Sequence, residues 1–292
     1  MELRADDVAR LAREALREDL GGETGRSADI TGQLVVPPGH AARAHIVCRG
    51  CGVLAGSAVA RRCFLEVDAE TRFENEAPEG SELDPGQVVM DVRGNGQALL
   101  AAERTALNFL QRLSGIATRT RAYVVAVAGT HTSIMNTRKT TPMLRDLERH
   151  AVVVGGGVSH RHGLFDQVLL KENHFALAPG SYEDTVRAAA DGGRGPVIAE
   201  AQDVDEAVAA VQGGAAVVML DNLTPGAGLG SAVVAVREAA SDLGRDVLIE
   251  ASGGVNLDNV RAYAEAGVDR ISVGELTHSA PALDFSMLIP DR

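Results

Sequence analysis

The chain has 292 residues, of which 45% are hydrophobic and 23% charged. That is ordinary globular composition, with length enough for one large or two modest domains with real cores. Its formal net charge of −12 excludes a nonspecific nucleic-acid binder and a binder of anionic membranes, and leaves room only for a local cluster of cations around a small anion.

The first stretch, MELRADDVARLAREALREDL, is acidic and amphipathic, with Leu3, Val8, Leu11, Ala15 and Leu16 on one helical face. It has no apolar core of a secretory signal and is too acidic for a mitochondrial transit peptide. No apolar run approaches membrane-spanning length, so a cytoplasmic location is expected. The segment ARAHIVCRGCGVLAG reads as two short strands around a glycine turn. Cys48 and Cys51 have C-x-x-C spacing, but no second ligand pair is suitably placed for zinc. With Cys63 they are expected as reduced thiols in or near a core. APEGSELDPGQ is a Pro/Gly turn region, and from Val88 the chain reads as a strand, a turn and a long helix. Residues 1–113 are thus expected to form a small α+β domain.

From about Thr132 the rhythm changes. The apolar runs SIMNTRK, AVVVGGG, QVLLKEN, PVIAEA, AVVMLDN, VLIEASGG and RISVGEL end in polar or glycine residues, and several alternate with helical segments. Continuous apolar strands alternating with helices imply a parallel sheet covered on both faces. So many strands favour an α/β barrel, closed or partly open, over residues 114–275. A doubly wound dinucleotide fold is disfavoured because no G-x-G-x-x-G follows the early strands.

In α/β barrels the chemistry sits at the C-terminal ends of the strands. Read in order, those ends carry Arg138 and Lys139; Gly155 to Gly157 with His160 and Arg161 beyond; Lys171 and Asn173; Glu200; Asp221 and Asn222; Ser252, Gly253 and Gly254; and Gly274. Of the 28 Lys and Arg residues only Lys139 and Lys171 are lysines, and both are among these ends. A compact ammonium differs from a planar guanidinium in size, hydration and pKa, so a chain that otherwise writes Arg keeps Lys here for chemistry. The set divides into cations (Arg138, Lys139, His160, Arg161, Lys171) and carboxylates (Glu200, Asp221). SGG and SVG stand where barrels commonly take phosphate through backbone N–H groups. Such a site suits a polyanionic substrate with a divalent metal, Mg²⁺, near Glu200 and Asp221, directly or through water or sugar hydroxyls.

The motifs ERTALNFLQRLSGIAT, TRKTTP, GGG..HR.GL.D..L.K.NH, MLDN, EASGG and GVDRISVGELTHS, with EDLGGETGRSADIT and VLAG earlier, resemble the quinolinate phosphoribosyltransferase family over nearly the whole chain. The resemblance implies an N-terminal α/β sandwich and a C-terminal, partly open α/β barrel, with the tail 276–292 packed back on the first domain. It implies Mg²⁺-dependent transfer of phosphoribosyl from phosphoribosyl pyrophosphate to quinolinate with decarboxylation, in a homodimer or higher even oligomer. By the same resemblance Arg138, Lys139, His160, Arg161 and Lys171 would bind quinolinate, with Arg104 reaching in from the neighbouring subunit. Glu200 and Asp221 would face the ribose hydroxyls and the Mg²⁺, and Ser252, Gly253 and Gly274 would receive the 5′-phosphate. Asn136, Met143, Ser159 and Ile198 depart from the pattern, at positions where Asp, Gly, Asn and Glu are usual. Four alternatives stay open: a phosphoribosyltransferase for another pyridine carboxylate, a molybdenum-transport-associated relative, a Schiff-base aldolase using Lys171, and a non-enzymatic metabolite sensor. The aldolase leaves Arg138, Arg161 and the SGG turn only half explained, and a sensor should have lost one of the acids Glu200 and Asp221, which are both present.

Overall fold

The computed structural model describes residues 3–290, apart from the side chain of Ala227. The chain divides into two compact units. The first comprises Met1–Arg121, Thr141–Gly156 and Ala280–Arg292; the second comprises Ala122–Thr140 and Gly157–Ser279.

In the first unit the helix Ala5–Asp19 buries Val8, Ala9, Leu11, Ala12 and Leu16, a stripe recurring at three- and four-residue spacing, and packs on the helix Ser57–Val67. Strands β1 (Ala41–Cys48), β2 (Gly52–Val53), β3 (Arg72–Glu74), β4 (Glu82–Leu83) and β5 (Val88–Asn95) follow. The stretch Ala42–Gly56 holds two strands, as its sequence suggests, but they do not form a hairpin. β1 pairs antiparallel with β5, while β2 pairs with β4 in a separate two-stranded sheet. Val53 also donates its N–H to Thr118 Oγ1 at 2.8 Å, so β2 is held by the helix Gly96–Ala126. That helix starts directly after β5, with no turn between them. On β5 the buried Asp91 accepts from Arg43 (2.5 Å) and Asn75 (2.7 Å), and His45 Nδ1 lies 2.5 Å from its other oxygen. Cys48 and Cys63 are buried, Cys51 is exposed, and none is in a disulfide.

One expected strand is a helix. AVVVGGG lies on Arg145–Val154, which turns Leu147, Ala151 and Val152 inward and opens with Asp146 and Glu148, where the positive end of a helix favours carboxylates. A four-residue apolar run fits a buried strand or a buried helix face equally, and here the amphipathic spacing upstream decides. Gly155 ends the helix against backbone: a Cβ there would sit 2.5 Å from Ala117 O.

The second unit is built on β6 (Ser133–Met135), β7 (Val168–Leu170), β8 (Val197–Ala201), β9 (Val217–Asp221), β10 (Leu248–Ser252) and β11 (Arg270–Ser272). They form one parallel sheet in the order β6-β11-β10-β9-β8-β7. From β7 to β11 each strand lies beside the next in sequence, and β6 joins beyond β11, which is the order of a barrel left open between β6 and β7. Val158 makes a parallel bridge to Met135 on the free side of β6 and narrows that gap. Leu169, Ile198, Val217 and Met219 form an apolar cluster from three neighbouring strands, with Leu248 packed against it. Ile198, which replaces a carboxylate of the family pattern, is wholly buried in this cluster.

The last strand, β12 (Phe285–Leu288), belongs to the first unit. It pairs antiparallel with β1, His45 opposite Leu288 and Cys48 opposite Phe285, giving a four-stranded sheet in the order β12-β1-β5-β3. Among the described residues no helix is long and apolar enough to cross a membrane.

Candidate active site

Parallel strands bring their C-terminal ends to one edge of the sheet. There the second unit places Arg138 and Lys139 beyond β6, Lys171 directly after β7, Glu200 near the end of β8, Asp221 as the last residue of β9, Ser252 as the last of β10 and Gly274 just beyond β11. His160 and Arg161 follow Val158. Arg104 lies in the other unit, exposed on the helix Gly96–Ala126, and so do Gly155 and Gly156, which follow the helix Arg145–Val154 and no strand.

The ends of β7, β8 and β9 form one electrostatic group. Lys171 Nζ donates to Glu200 Oε2. Lys171 is the residue before the helix Glu172–Leu177, and its backbone N–H donates to His174 Nδ1 at 2.9 Å, which sets the main chain at the lysine. Tyr182 Oη donates to Glu200 O at 2.6 Å, and its ring stacks on Phe175 with centroids 3.9 Å apart. The Asp221 carboxyl is pushed above the usual carboxylate range, first by burial and then by the like charge of Glu200. Lys171, a hydrogen bond with Ser252 and Lys139 oppose that rise.

The ends of β10 and β11 carry glycine where side chains would collide. Gly253 has φ +90°, and a Cβ there would lie 2.2 Å from Asn222 Oδ1 and 2.9 Å from Asn222 N. Gly254 and Asn222 are also left-handed, at φ +63° and +57°. At Gly274 a Cβ would lie 3.0 Å from Lys139 Cδ and 3.1 Å from His278 Nε2, so the Lys139 stem runs alongside this glycine. Thr277 Oγ1 donates to Lys139 O at 2.7 Å and ties the lysine's backbone to the same turn.

Beyond β6 two guanidiniums lie near enough for their charges to interact. Arg161 is buried, and its proton affinity is lowered by that burial and by the positive charge of Arg138, with Asp166 acting the other way. Asp166 spends its oxygens on the backbone N–H groups of His162 (2.7 Å) and Gly163 (2.9 Å). Arg161 Nη1 reaches Gln167 O at 3.4 Å, and Arg138 Nε is buried with no hydrogen-bond partner among the described residues. Two like charges held together, one of them buried, make a place that an anion stabilises. Asn136 Oδ1 accepts from His160 N at 2.8 Å.

Sequence reasoning passed over Glu250, Ser272 and Tyr182. The first had a signal: a carboxyl group in the middle of the apolar strand VLIEAS is a buried polar group that must find partners. Ser272 and Tyr182 had none, because their contacts span 22 and 18 residues.

Among the described residues no group of three or more His, Cys, Asp or Glu side chains is disposed to hold a metal ion. Glu200 and Asp221 do offer hard oxygen donors close enough for their charges to interact. This fits a magnesium ion that takes its remaining ligands from water and phosphate.

Two family models cover this chain: the quinolinate phosphoribosyl transferase N-terminal domain over residues 29–114 and the C-terminal domain of the same name over residues 116–288. Nicotinate-nucleotide pyrophosphorylase [carboxylating] of Mycobacterium leprae is 39% identical, with 94% of this chain and 96% of the relative aligned. The human protein of the same name is 38% identical over 96% of this chain and 91% of its own. The crystal structure of NadC from Streptococcus pyogenes superposes with a TM-score of 0.88 at 34% identity, covering 100% of each chain.

Proposed function

This chain belongs to the quinolinate phosphoribosyl transferase family, and on that premise we propose that it transfers phosphoribosyl from phosphoribosyl pyrophosphate to quinolinate, releasing pyrophosphate and CO₂ and giving nicotinate mononucleotide for NAD biosynthesis. The observation that carries this reading is the pairing of buried Arg161 with Arg138, whose Nε has no partner among the described residues. Quinolinate brings two carboxylates, and a dianion relieves the repulsion and satisfies the donors together.

In this reading Arg138, Lys139, Arg161 and Lys171 grip the two carboxylates, His160 lies beside them, and the pyridine nitrogen faces the ribose. The nitrogen's lone pair forms the N–C bond at C1 of the ribose while the C–O bond to pyrophosphate breaks, its electron pair leaving with pyrophosphate. Positive charge builds on the ribose between the two events, and the carboxylates of Glu200 and Asp221 stabilise it. Ser252, Gly253 and Gly274 hold the 5′-phosphate. The joined nitrogen is now quaternary. The bond from C2 to its carboxylate can therefore break with its electron pair drawn into the ring; CO₂ departs and C2 takes up a proton. Magnesium held by Glu200 and Asp221, directly or through water and ribose hydroxyls, would supply charge neutralisation at the pyrophosphate. The working form is a cytoplasmic homodimer or higher even oligomer in which Arg104 completes the neighbouring subunit's site.

The test is purified protein with quinolinate, phosphoribosyl pyrophosphate and Mg²⁺, read by mass spectrometry. Nicotinate mononucleotide is the expected product. Nicotinate, lacking the 2-carboxylate, leaves buried cations unpaired and is expected to be a poor substrate. No nucleotide from quinolinate, or equal turnover of nicotinate, would overturn the reading.

A further inference from the structure

Glu250 is wholly buried in the middle of β10, and no step above uses it. Its Oε1 accepts from Ser272 Oγ, and the same oxygen lies 3.2 Å from His160 Nε2. Its Oε2 has no hydrogen-bond partner among the described residues. The His160 side chain is only 7% exposed. On the far side of the ring, Nδ1 accepts the backbone N–H of Arg161 at 2.7 Å. A nitrogen that accepts carries no proton, so this bond assigns the ring as the neutral tautomer with its hydrogen on Nε2, the nitrogen nearer Glu250. The ring lies between a buried carboxyl group, 3.2 Å from Nε2, and the main chain of Arg161, which donates to Nδ1.

We propose that Glu250 is a positioning residue for the quinolinate carboxylates, acting through the His160 ring to set the backbone, and hence the guanidinium, of Arg161. The inference rests on the reading of Arg161 as a quinolinate ligand. Burying a carboxyl group with one oxygen unpartnered is costly, and a packed hydrophobic side chain would fill β10 more cheaply. What the carboxyl group supplies is direction. Ser272 holds Oε1, Oε1 lies beside the ring, and Asn136 Oδ1 takes the His160 backbone N–H at 2.8 Å, so residues 160 and 161 are fixed from β10, β11 and the residue that follows β6 together. Among the described residues the only hydrogen bond from the Arg161 side chain goes to Gln167 O, at 3.4 Å, so the tighter constraint on its position enters through its main chain.

The experiment uses the full chain and two kinds of readout. Glu250→Leu keeps the volume and removes the acceptors; Glu250→Gln keeps an acceptor oxygen. Glu250→Leu should raise the quinolinate KM by about tenfold or more, as a small misplacement of a binding group does, with the phosphoribosyl pyrophosphate KM held within about twofold. Glu250→Gln should recover most of that loss. A purely structural role would move both KM values together with the melting temperature, and that result would overturn the proposal. Because Glu250→Leu can fail to fold, ¹⁵N NMR of histidine-labelled wild-type protein gives a second test, with the His160 signals assigned by their loss in His160→Asn. The expected spectrum has a bare Nδ1 and a protonated Nε2. A protonated Nδ1 would overturn the relay whatever the kinetics. Wild-type protein inactive with both substrates would instead overturn the functional reading, since the tautomer is read without turnover.

Discussion

Gly274→Ala separates the geometry of the site from the stability of the fold. Gly274 has φ −71° and ψ −34°, an ordinary helical conformation, so a methyl group there brings no backbone strain. By restricting the unfolded chain it stabilises by about 0.4–1 kcal/mol. The methyl carbon would lie 3.0 Å from Lys139 Cδ and 3.1 and 3.3 Å from His278 Nε2 and Cδ2. Carbon atoms pack at about 3.5–4.0 Å, so the lysine stem must retreat by roughly 0.5–1 Å. Lys139 is exposed and flexible enough to do so, and the crowding cost should offset the entropic gain to within about 1 kcal/mol. The ammonium moves with its stem, and a displacement near 1 Å costs up to about a hundredfold in rate. Steady-state kinetics with quinolinate and phosphoribosyl pyrophosphate, beside a thermal melt, should give kcat/KM down by about tenfold or more and a nearly unchanged Tm. Unchanged kcat/KM would refute the placement of Lys139 against Gly274 in the working site. A collapsed Tm would refute the claim that side chains absorb the methyl.

Lys171→Arg and Lys139→Arg keep the charge but replace a compact ammonium by a longer planar fork; each should fold normally and lose about a hundredfold in kcat/KM, and near-wild-type activity in both would sink the argument. Gly253→Ala drives a Cβ into Asn222 at a left-handed φ, and should cost about 2–5 kcal/mol from backbone strain and overpacking together, read by denaturant unfolding. Burial alone would raise the Asp91 pKa, but hydrogen bonds from Arg43, Asn75 and His45 hold it at about 2. Its stabilisation is therefore complete above about pH 4, the ordinary carboxylate value, and is lost as pH falls from there through about 2. Urea unfolding of wild type and Asp91→Asn between those limits should give a steeper acid loss in wild type, and parallel curves would count against it. Arg104→Ala mixed with Lys171→Ala under conditions of subunit exchange should regain activity; none despite proven exchange means the site is not shared.

Residues that end strands were legible because an apolar run stops there: Asp221 closes VVMLD and Ser252 closes LIEAS. The parallel sheet was legible for the same reason, since its strands are apolar on both faces. What the sequence hid is contact across distance. Glu250 meets His160, 90 residues away in the chain, and nothing local to either announces the other. The helix Arg145–Val154 was hidden differently, by an apolar run too short to carry a period. Met143, flagged where glycine is usual, has φ +68°, so the position demands the backbone that glycine adopts most easily.

The antiparallel pairing of β12 with β1 has a consequence for the order in which this protein folds as it is made. Between the synthesis of these two strands lie roughly 240 residues, which at about 5–20 residues per second takes on the order of 10–50 s. Throughout that interval the outer edge of β1 presents backbone donors and acceptors with no partner strand, beside a core already containing Ile46 and Val47. The second unit, ending at Ser279, is fully synthesised before that edge can be covered. Through nearly all of synthesis the nascent chain therefore carries an antiparallel sheet still open at β1. Aggregation during expression should begin at β1, and a truncation that removes Phe285–Leu288 should prolong that open stage indefinitely.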